Sequence, residues 1–429
     1  MKSLSSKAAM CVIAFGLLQS APALAQTLPP DVSALQGLFR IGVQIGTFRN
    51  TYDVKDADDA TDFLSEADLF RRYPGVYTGT QAVTGTLDFR GVPLFGSYLA
   101  NSNTFTLRVP AFDEPGSTYL LTFTGTSRAA SYQAFKDYFD ETDSVEAERL
   151  IRLLLRSLTR TPLDPLAGNP GSLQGGLVRS ALDLSDGDSL VEGGADNVDP
   201  WMVGAAYTRS SGGRFDSDRF DARLQRSFRV LQGSRARLKL EAPVSYQEVN
   251  GARSFSASPT IAMEIPLQEN RWSIEPRLGY GITASDELGS LGHMLAASVS
   301  SRYRIDGVGR GKLIIGNMVG YSTTLPTDFT GYDINPSVQN WVLRNGLAYE
   351  YPLKAQVLGR SASIRASYTF TAFTGDELYA DTFHEATLSI GVRARETEVR
   401  NTQDLYRINI SGVAANGYKS ISAGLGFRF

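Results

Sequence analysis

The second half of the chain alternates apolar and polar side chains with a period of two residues. In the last segment, from Ser420 to Phe429, the odd positions are apolar and the even positions are small or polar. Successive side chains of a strand point to opposite faces, so such a segment has one apolar face. The alternation recurs and predicts about twelve strands, near residues 200–209, 217–230, 237–246, 254–267, 272–280, 295–304, 311–323, 338–352, 363–370, 386–393, 406–411 and 420–429.

Two of these strands depart from the pattern. Ile314 and Met318 fall on the face that is otherwise polar. Pro276 interrupts a good alternation, and because proline cannot donate to a ladder, we expect a β-bulge at that position.

The alternating segments predict a membrane barrel. No segment after the N-terminus approaches 18 apolar residues, and an open sheet would leave its edge groups unsatisfied in lipid. Outer-membrane barrels have short periplasmic turns and longer external loops. The short connections here are Gln232–Ser234, Gln268–Asn270 and Asp306–Arg310, and the longer ones are Ser285–Gly292, Thr323–Ser337 and Thr374–Phe383. An even strand number places the first and last residues of the barrel segment in the periplasm. Aromatic residues form belts at the two membrane interfaces, and we expect Trp201 and Trp272 in the periplasmic belt and Trp341 in the outer one.

The N-terminus has the pattern of a secretory signal. Lys2 and Lys7 precede an apolar run over residues 8–18, and Ala23-Leu24-Ala25 offers a cleavage site. The run is too short for a transmembrane anchor. We therefore expect residues 1–25 to be removed, together with Cys11, the only cysteine of the chain. The mature chain then has no thiol chemistry.

Residues 26–165 predict a small mixed β/α soluble module. Ile41, Val43 and Ile45 alternate in one strand, residues 60–73 form a short helix, and strand-like runs at 84–89, 94–99, 104–109 and 119–123 are separated by turn residues. Helices follow at 128–139 and 143–160. Residues 166–199 form a linker that includes a short helical stretch at Leu177–Leu184, and 200–429 form the barrel.

The predicted helix at 143–160 is amphipathic. Asp143 is its N-cap, with Glu146 three residues later. Its apolar stripe packs onto a neighbouring element, or alternatively lies on a membrane surface. The stripe consists of Val145, Ile151, Leu154, Leu155 and Leu158.

Basic residues dominate the face that the alternation turns toward the barrel lumen. The inward cations are Arg223, Arg229, Arg237, Lys239, Arg277, Arg302, Arg304, Arg344, Arg365, Arg393, Arg395, Arg407 and Arg428. The inward acids are Asp221, Glu241, Glu264, Glu275 and Glu350. An open bore with this lining would favour anions. The alternative, which we favour because twelve strands leave a narrow bore, is internal pairing with the acids and with a lumenal plug.

The C-terminal residues resemble the assembly signal of bacterial outer-membrane proteins. The resemblance rests on Ser422, Gly424, Phe427 and the terminal Phe429, and it implies recognition by the barrel assembly machinery. The order of soluble module, linker and roughly twelve-stranded barrel resembles autotransporter translocator units over about residues 165–429. In such units the linker occupies the lumen. The chain departs from them upstream, because 26–165 has no glycine-rich β-helix repeats.

Candidate chemistry is sparse. Gly187-Asp188-Ser189-Leu190 spells the nucleophile motif of GDSL esterases, and Asp381 and His384 supply the spacing of an Asp-x-x-His pair. The serine, however, follows a polar linker and not a buried strand. The acidic run at Asp56–Asp62 lacks the glycine and spaced ligands of a calcium loop, so we expect a solvated face, no metal and no cofactor.

The expected function is therefore an autotransporter-like outer-membrane barrel, not an enzyme, that anchors or displays a small interaction module. A porin-like anion channel is the alternative, and an esterase is the second alternative. The expected partners are outer-membrane lipid, the assembly machinery and an unknown protein or envelope partner of the module. The formal net charge of −3 gives no reason to expect nucleic acid.

Overall fold

A computed structural model describes residues 30–55, 57–110, 118–140, 145–185, 201–230, 236–268, 271–285, 287–288, 290–329, 332–333, 335–393 and 404–428. The expected signal peptide, with Cys11, lies outside these residues. None of the described helices has the length and apolarity needed to cross a membrane.

The N-terminal module is built on a six-stranded antiparallel sheet. Its strands are β1 (Phe39–Ile45), β2 (Phe48–Val54), β3 (Val83–Phe89), β4 (Val92–Tyr98), β5 (Thr104–Pro110) and β6 (Thr118–Thr124). They pair in the order β2-β1-β3-β4-β5-β6. The strand β2 was not expected from the sequence. Its residues are mostly polar and exposed, so no apolar alternation signals it, and it forms as the edge partner of β1 across a turn at Gly46 (φ +59°).

Four helices accompany this sheet. The single helix expected at 60–73 is two, because Ser65 starts a second one by accepting a hydrogen bond from the Asp68 backbone N–H at 3.2 Å. The helices are α1 (Ala57–Thr61), α2 (Glu66–Arg72), α3 (Arg128–Asp140) and α4 (Val145–Leu158).

Helix α4 packs onto protein through Ala147, Leu150 and Leu158, all of which are buried. The expectation that Val145 belongs to the buried stripe is wrong: its side chain is 76% exposed, and Ala147 is the residue of the first turn that packs onto protein. The expected N-cap, Asp143, lies outside the described residues.

Twelve wall strands form a closed antiparallel barrel, which confirms the predicted fold class. The ring closes where the last strand pairs with the first, from Tyr418↔Gly212 to Arg428↔Met202. Two segments, β10 and β11, are halves of one wall strand interrupted at Ser258–Pro259. The strands are β7 (Trp201–Gly212), β8 (Phe215–Arg229), β9 (Arg237–Val249), β10 (Ala252–Ala257), β11 (Thr260–Gln268), β12 (Trp272–Ser285), β13 (Ser290–Val308), β14 (Gly311–Thr324), β17 (Gln339–Val357), β18 (Arg360–Gly375), β19 (Thr382–Arg393), β20 (Asp404–Ala415) and β21 (Tyr418–Arg428), and β15 (Asp328–Phe329) and β16 (Tyr332–Asp333) are a small hairpin between β14 and β17.

The outer face of the barrel is apolar and exposed. Ile410 and Ile421 are 58% and 61% exposed, whereas inward residues such as Lys239 and Glu241 are buried. A soluble protein seldom exposes so large a continuous apolar surface. Outward apolar and inward polar alternation is the pattern of a barrel that contacts lipid.

The β-bulge expected at Pro276 is wrong. Pro276 continues its strand and pairs in register with Val299, and the register shift in this part of the wall falls between Pro266 and Gln268 instead.

The two barrel ends differ. We call the end with Trp201, Trp272 and Arg428 the terminal end, and the opposite end, with Trp341, the mouth. Besides the three longer connections that the sequence indicates, the mouth has three short turns, because β7–β8, β9–β10 and β20–β21 are joined there by two residues each. The module covers this end, as described below.

Candidate functional site

The linker enters the barrel at the mouth and runs toward the terminal end. Helix α5 (Leu173–Ala181) lies inside, and its N-cap Ser172 accepts a hydrogen bond from the Gly175 backbone N–H at 3.2 Å. The helix begins four residues before the expected Leu177 and ends at Ala181, because Ser172 supplies a start signal that we overlooked. Residues 182–185 continue past it through a turn and bends, in which the Ser185 backbone N–H donates to Asp183 Oδ1 at 2.8 Å.

Inward-facing glycines make room for the leucines of this linker. A Cβ at Gly281 would lie 2.8 Å from Leu173, and one at Gly279 would lie 2.8 Å from Leu177. Since real Cβ atoms do not approach other atoms so closely, a larger residue at either wall position would force the facing leucine to shift. Similar contacts join Gly292 to Leu166, Gly316 to Leu182 and Leu184, and Gly346 to Leu184.

The linker also explains the irregular strand β14. Ile314 and Met318 point inward and are buried in one cluster with Val178, Leu182 and Leu184. These apolar inner positions therefore pack against the part of the linker inside the barrel, residues 166–185, which we call the plug. They are not a defect in the alternation.

Polar groups of the linker find partners on the wall. The Gln174 side-chain amide donates to Ser322 Oγ at 3.0 Å and to Asn340 Oδ1 at 2.9 Å. Arg344 donates to the Leu182 carbonyl at 3.0 Å, and Arg365 donates to the Leu184 carbonyl at 3.1 Å. Each bond satisfies a group whose burial without a partner would cost about 1–3 kcal/mol.

Most inward cations on β8–β13 form one ionic cluster. Lys239 lies 2.9 Å from Glu264 and 2.8 Å from Glu275, and Arg277 lies 2.7 Å from Glu241 and 3.1 Å from Glu275. The further members are Arg237 (3.0 Å from Glu264), Arg223 (3.8 Å from Glu241) and Arg302 (3.7 Å from Glu275).

A second cluster surrounds Glu350 near the terminal end. Arg365 bonds this carboxylate, Lys312 lies 3.2 Å from it, and Arg407 and Arg393 lie 3.7 and 3.9 Å from it. Arg304 pairs with Asp306 at 3.0 Å. Of the other inward cations, Arg229 and Arg428 lie at the terminal ends of their strands, whereas Arg395 is outside the described residues.

Two inward acids were missed in the sequence. Glu385 pairs with Arg344 at 2.7 Å, and Asp404 bonds Arg407. The alternation of β19 could have identified Glu385, which precedes the outward Ala386. With these two, seven inward acids face the twelve expected inward cations that the structure describes, and nine of those cations lie within 4 Å of one of the acids.

The module is docked on the mouth through buried charges. The Asp88 carboxylate lies 2.5 Å from Arg40 of the module and 2.9 Å from Arg214 in the β7–β8 turn. Arg90 is fully buried, donates to the Leu288 carbonyl of the barrel at 3.0 Å, and lies 3.5 Å from Asp164 of the linker. Burial raises the pKa of the Asp164 carboxyl, and the facing Arg90 guanidinium opposes that shift.

Apolar packing joins the two parts as well. Phe215, Val249, Ala252 and Leu288 of the mouth belong to the same buried cluster as the core of the module. On the other side of the mouth, Arg156 and Arg160 pair with Asp376 and Glu377. The module is therefore a cap whose core continues into the barrel rim.

The C-terminal signal residues lie on the closing strand. Ser422 and Ser411 share a hydrogen bond at 2.6 Å, Gly424 pairs with Asn409, and the Phe427 ring stacks on Tyr406 at 5.3 Å. Phe429 lies outside the described residues.

The esterase pair is not assembled. Asp381 accepts a hydrogen bond from the Leu378 backbone N–H at 3.1 Å, whereas His384 bonds the Tyr368 hydroxyl at 2.7 Å. The motif at 187–190 lies outside the described residues.

The acidic run of the module is engaged with a cation, since Asp62 lies 2.5 Å from Lys136. In the part of the chain that the structure describes, no group of three or more His, Cys, Asp or Glu side chains could hold a metal ion.

The comparisons with known proteins give structural likenesses only. No family model and no curated protein matches the chain. The chain is similar to the translocator domain of the autotransporter NalP from Neisseria meningitidis (13% identity, TM-score 0.40), with 60% of this chain and 95% of that chain covered. It is similar to the transport unit of the autotransporter AIDA-I from Escherichia coli (13% identity, TM-score 0.39), with 60% of this chain and 97% of that chain covered. It is also similar to an outer membrane channel from Pseudomonas putida F1 (10% identity, TM-score 0.39), with 58% of this chain and 100% of that chain covered.

The closed wall, the apolar outer face and the polar inner face have one physical reading. A sheet can cross a bilayer only when every backbone group is paired around a ring. The chain is an outer-membrane β-barrel, with its own linker in the lumen and its N-terminal module on the mouth.

Proposed function

We propose that the chain is an autotransporter-like barrel that threads its linker through its own lumen and displays the N-terminal module at the cell surface as a docked cap. The observation that carries the proposal is the path of the linker. Leu166 packs at Gly292 near the mouth, and the Ser185 carbonyl accepts a hydrogen bond from Ser389 deeper in the lumen. The module and the start of β7 therefore lie at opposite ends of the barrel.

The orientation follows from the C-terminal resemblance. If Ser422, Gly424, Phe427 and Phe429 are recognised by the barrel assembly machinery, which acts from the periplasm, the terminal end is periplasmic. The mouth and its cap are then outside. The exposed surface of the module is what an envelope or extracellular protein partner would contact.

A porin-like anion channel is supported less well. The inward cations that would select anions lie beside Glu241, Glu264, Glu275, Glu350 and Glu385, and α5 fills part of the bore. A charge that is already paired in the lumen attracts a passing anion weakly.

Cysteine labelling of intact cells tests the proposed display. Ala100→Cys lies in an exposed turn of the module, and Arg310→Cys lies in the exposed β13–β14 turn at the terminal end. A membrane-impermeant maleimide should label Ala100→Cys on intact cells and Arg310→Cys only after the outer membrane is permeabilised. Labelling in the reverse order would contradict the proposal.

A further inference from the structure

Outward aromatic side chains at the two ends of the barrel have different polar partners. Near the mouth, the hydroxyls of Tyr207 and Tyr246 bond the carboxylates of Asp218 and Glu248. Near the terminal end, outward rings on β7, β8 and β17 instead lie under guanidinium groups. The lipid face therefore carries stacked arginines at the terminal end.

Arg226 on β8 has the closest of these contacts. Its guanidinium carbon lies 4.7 Å from the centroid of the Trp201 ring and 4.7 Å from that of the Phe228 ring. Trp201 is its register partner on β7, and Phe228 follows two residues later on the same face of β8. Its register partner on β9, Leu240, is 42% exposed, so the arginine lies on the lipid face of the wall.

The charge of Arg226 is not offset by a carboxylate of the described chain. Among the described residues this side chain forms no ion pair and no hydrogen bond, and its Nε is buried without a partner. A cation–π contact uses the charge of a guanidinium but none of its N–H donors. The terminal N–H groups are therefore held beside two rings, next to lipid, and have no acceptor in the described wall.

A phosphate of net negative charge suits this arrangement. Arginine binds phosphate through paired N–H donors, and basic residues at a membrane surface attract anionic lipids. A zwitterionic head group also brings an ammonium, for which the two rings and the guanidinium offer no carboxylate. The chemistry at Arg226 therefore favours an anionic head group over a zwitterionic one.

An apolar surface continues from Arg226 toward the middle of the membrane. Val203 and Leu224 are exposed register partners on β7 and β8. Phe427 on the closing strand is the other register partner of Val203. An acyl chain attached to a phosphate at Arg226 would lie on this outward apolar band.

We propose that Arg226, Trp201 and Phe228 bind the phosphate of an anionic glycerophospholipid in the membrane leaflet at the terminal end. Its acyl chains lie on the apolar wall beside Val203 and Leu224. The lipid comes from the surrounding membrane and stays outside the barrel. Binding in vesicles does not depend on which side of the outer membrane the terminal end occupies, so display of the module is tested separately.

Tryptophan fluorescence of the full chain in vesicles measures binding at the site itself. The chain has three tryptophans, so Trp272→Phe/Trp341→Phe leaves Trp201 as the only one. A lipid with brominated acyl chains quenches a tryptophan that it contacts. In mixtures of phosphatidylglycerol and phosphatidylcholine, we compare quenching when one or the other lipid is brominated at equal fraction. Trp201 should show a relative binding constant for phosphatidylglycerol several-fold above one.

Trp201→Phe/Trp341→Phe is the matched control, because it retains Trp272. This outward ring is 41% exposed at the same end, its indole N–H donates to Ser301 Oγ at 3.0 Å, and no guanidinium of the described residues is stacked on it. The two lipids should quench Trp272 equally. An equal preference for phosphatidylglycerol at both tryptophans would indicate general attraction to a basic surface and would overturn the site.

Substitution of Arg226 in the variant with Trp201 alone tests the guanidinium directly. Arg226→Gln should reduce the preference to near one, whereas Arg226→Lys should retain part of it, because the charge remains and the paired donors are lost. Each ratio is taken against vesicles without bromine, so a change in the intrinsic fluorescence of Trp201 is corrected. Heat-modifiable migration on gels shows that each variant is folded.

Two results would overturn the lipid site. One is an unchanged preference for phosphatidylglycerol in a folded Arg226→Gln variant. The other is loss of the preference when millimolar inorganic phosphate is added, because the site would then bind a free anion without any contribution from acyl chains.

Discussion

At the scale of single residues, a few buried contacts hold the cap and the plug in place. Arg90 is the clearest case, because its guanidinium contacts the barrel at Leu288 and the linker at Asp164 while it belongs to the module. A buried ion pair is weak evidence for stability by itself, but removal of one partner leaves the other charge unpaired. Such residues therefore report whether the module is docked.

Asp164→Asn should loosen the cap. The substitution leaves the fully buried Arg90 without its counter-charge, which should lower the free energy of unfolding of the docked module by about 3–5 kcal/mol. Glu377→Gln is the control, because Glu377 is 67% exposed in its pair with Arg160 and such pairs contribute about 0–1 kcal/mol. Hydrogen exchange of the module in detergent micelles measures both. Equal effects would mean that Arg90 is not buried at the junction.

Gly281→Ala should displace the Leu173 side chain of the plug from the wall. The new Cβ would lie 2.8 Å from Leu173, whereas Gly204→Ala, also inward-facing, meets its nearest neighbour at 3.6 Å. We expect a lower melting temperature for Gly281→Ala, no change for Gly204→Ala, and partial recovery in Gly281→Ala/Leu173→Ala, since the double variant returns the missing space. Additive losses in the double variant would contradict the contact.

At the scale of elements, the plug is held by surface complementarity along its whole length. Its leucines fill glycine recesses, and its backbone carbonyls accept from Arg344 and Arg365. The contacts run from the mouth to the second ionic cluster. The plug therefore contributes to the stability of the wall as well as narrowing the bore.

Replacement of residues 165–185 by a Gly/Ser linker of equal length should raise conductance and lower thermal stability. The altered linker lacks the leucines that fill the wall recesses and the side chains that pair with the wall. Heat-modifiable migration on gels should show that the barrel still inserts. The control lacks the module 30–158 but retains the linker, and it should conduct as little as the full chain. Planar-bilayer recordings measure both. Low conductance after the Gly/Ser replacement would place the plug elsewhere.

The sequence predicts the wall well because each wall strand has a lipid face and an inner face. The alternation fails in two places. Ile314 and Met318 are apolar on the inner face because they pack against the plug, and the polar strand β2 shows no alternation because it forms by pairing with β1. The inward cations could be identified from alternation alone. Their partners Glu385 and Asp404, and the docking contacts of Asp88 and Arg90, depend on which elements meet in space, and no local pattern signals that.

At the scale of the whole molecule, the chain passes through its own barrel. The cap lies at one end, both barrel termini lie at the other, and the linker joins them through the lumen. Export of the module and sealing of the mouth would then be consequences of one topology.

The most direct measurement is a disulfide between the linker and the inner wall. The mature chain is expected to lack cysteine, so Leu177→Cys/Gly279→Cys introduces the only thiols, at positions where a Cβ on residue 279 would lie 2.8 Å from the Leu177 side chain. In outer-membrane preparations we expect an oxidised peptide that joins 177 to 279, and none that joins 177 to 204 in Leu177→Cys/Gly204→Cys. A folded, heat-modifiable barrel that lacks the 177–279 link, or that links 177 to both positions equally, would contradict the passage of the linker through the lumen.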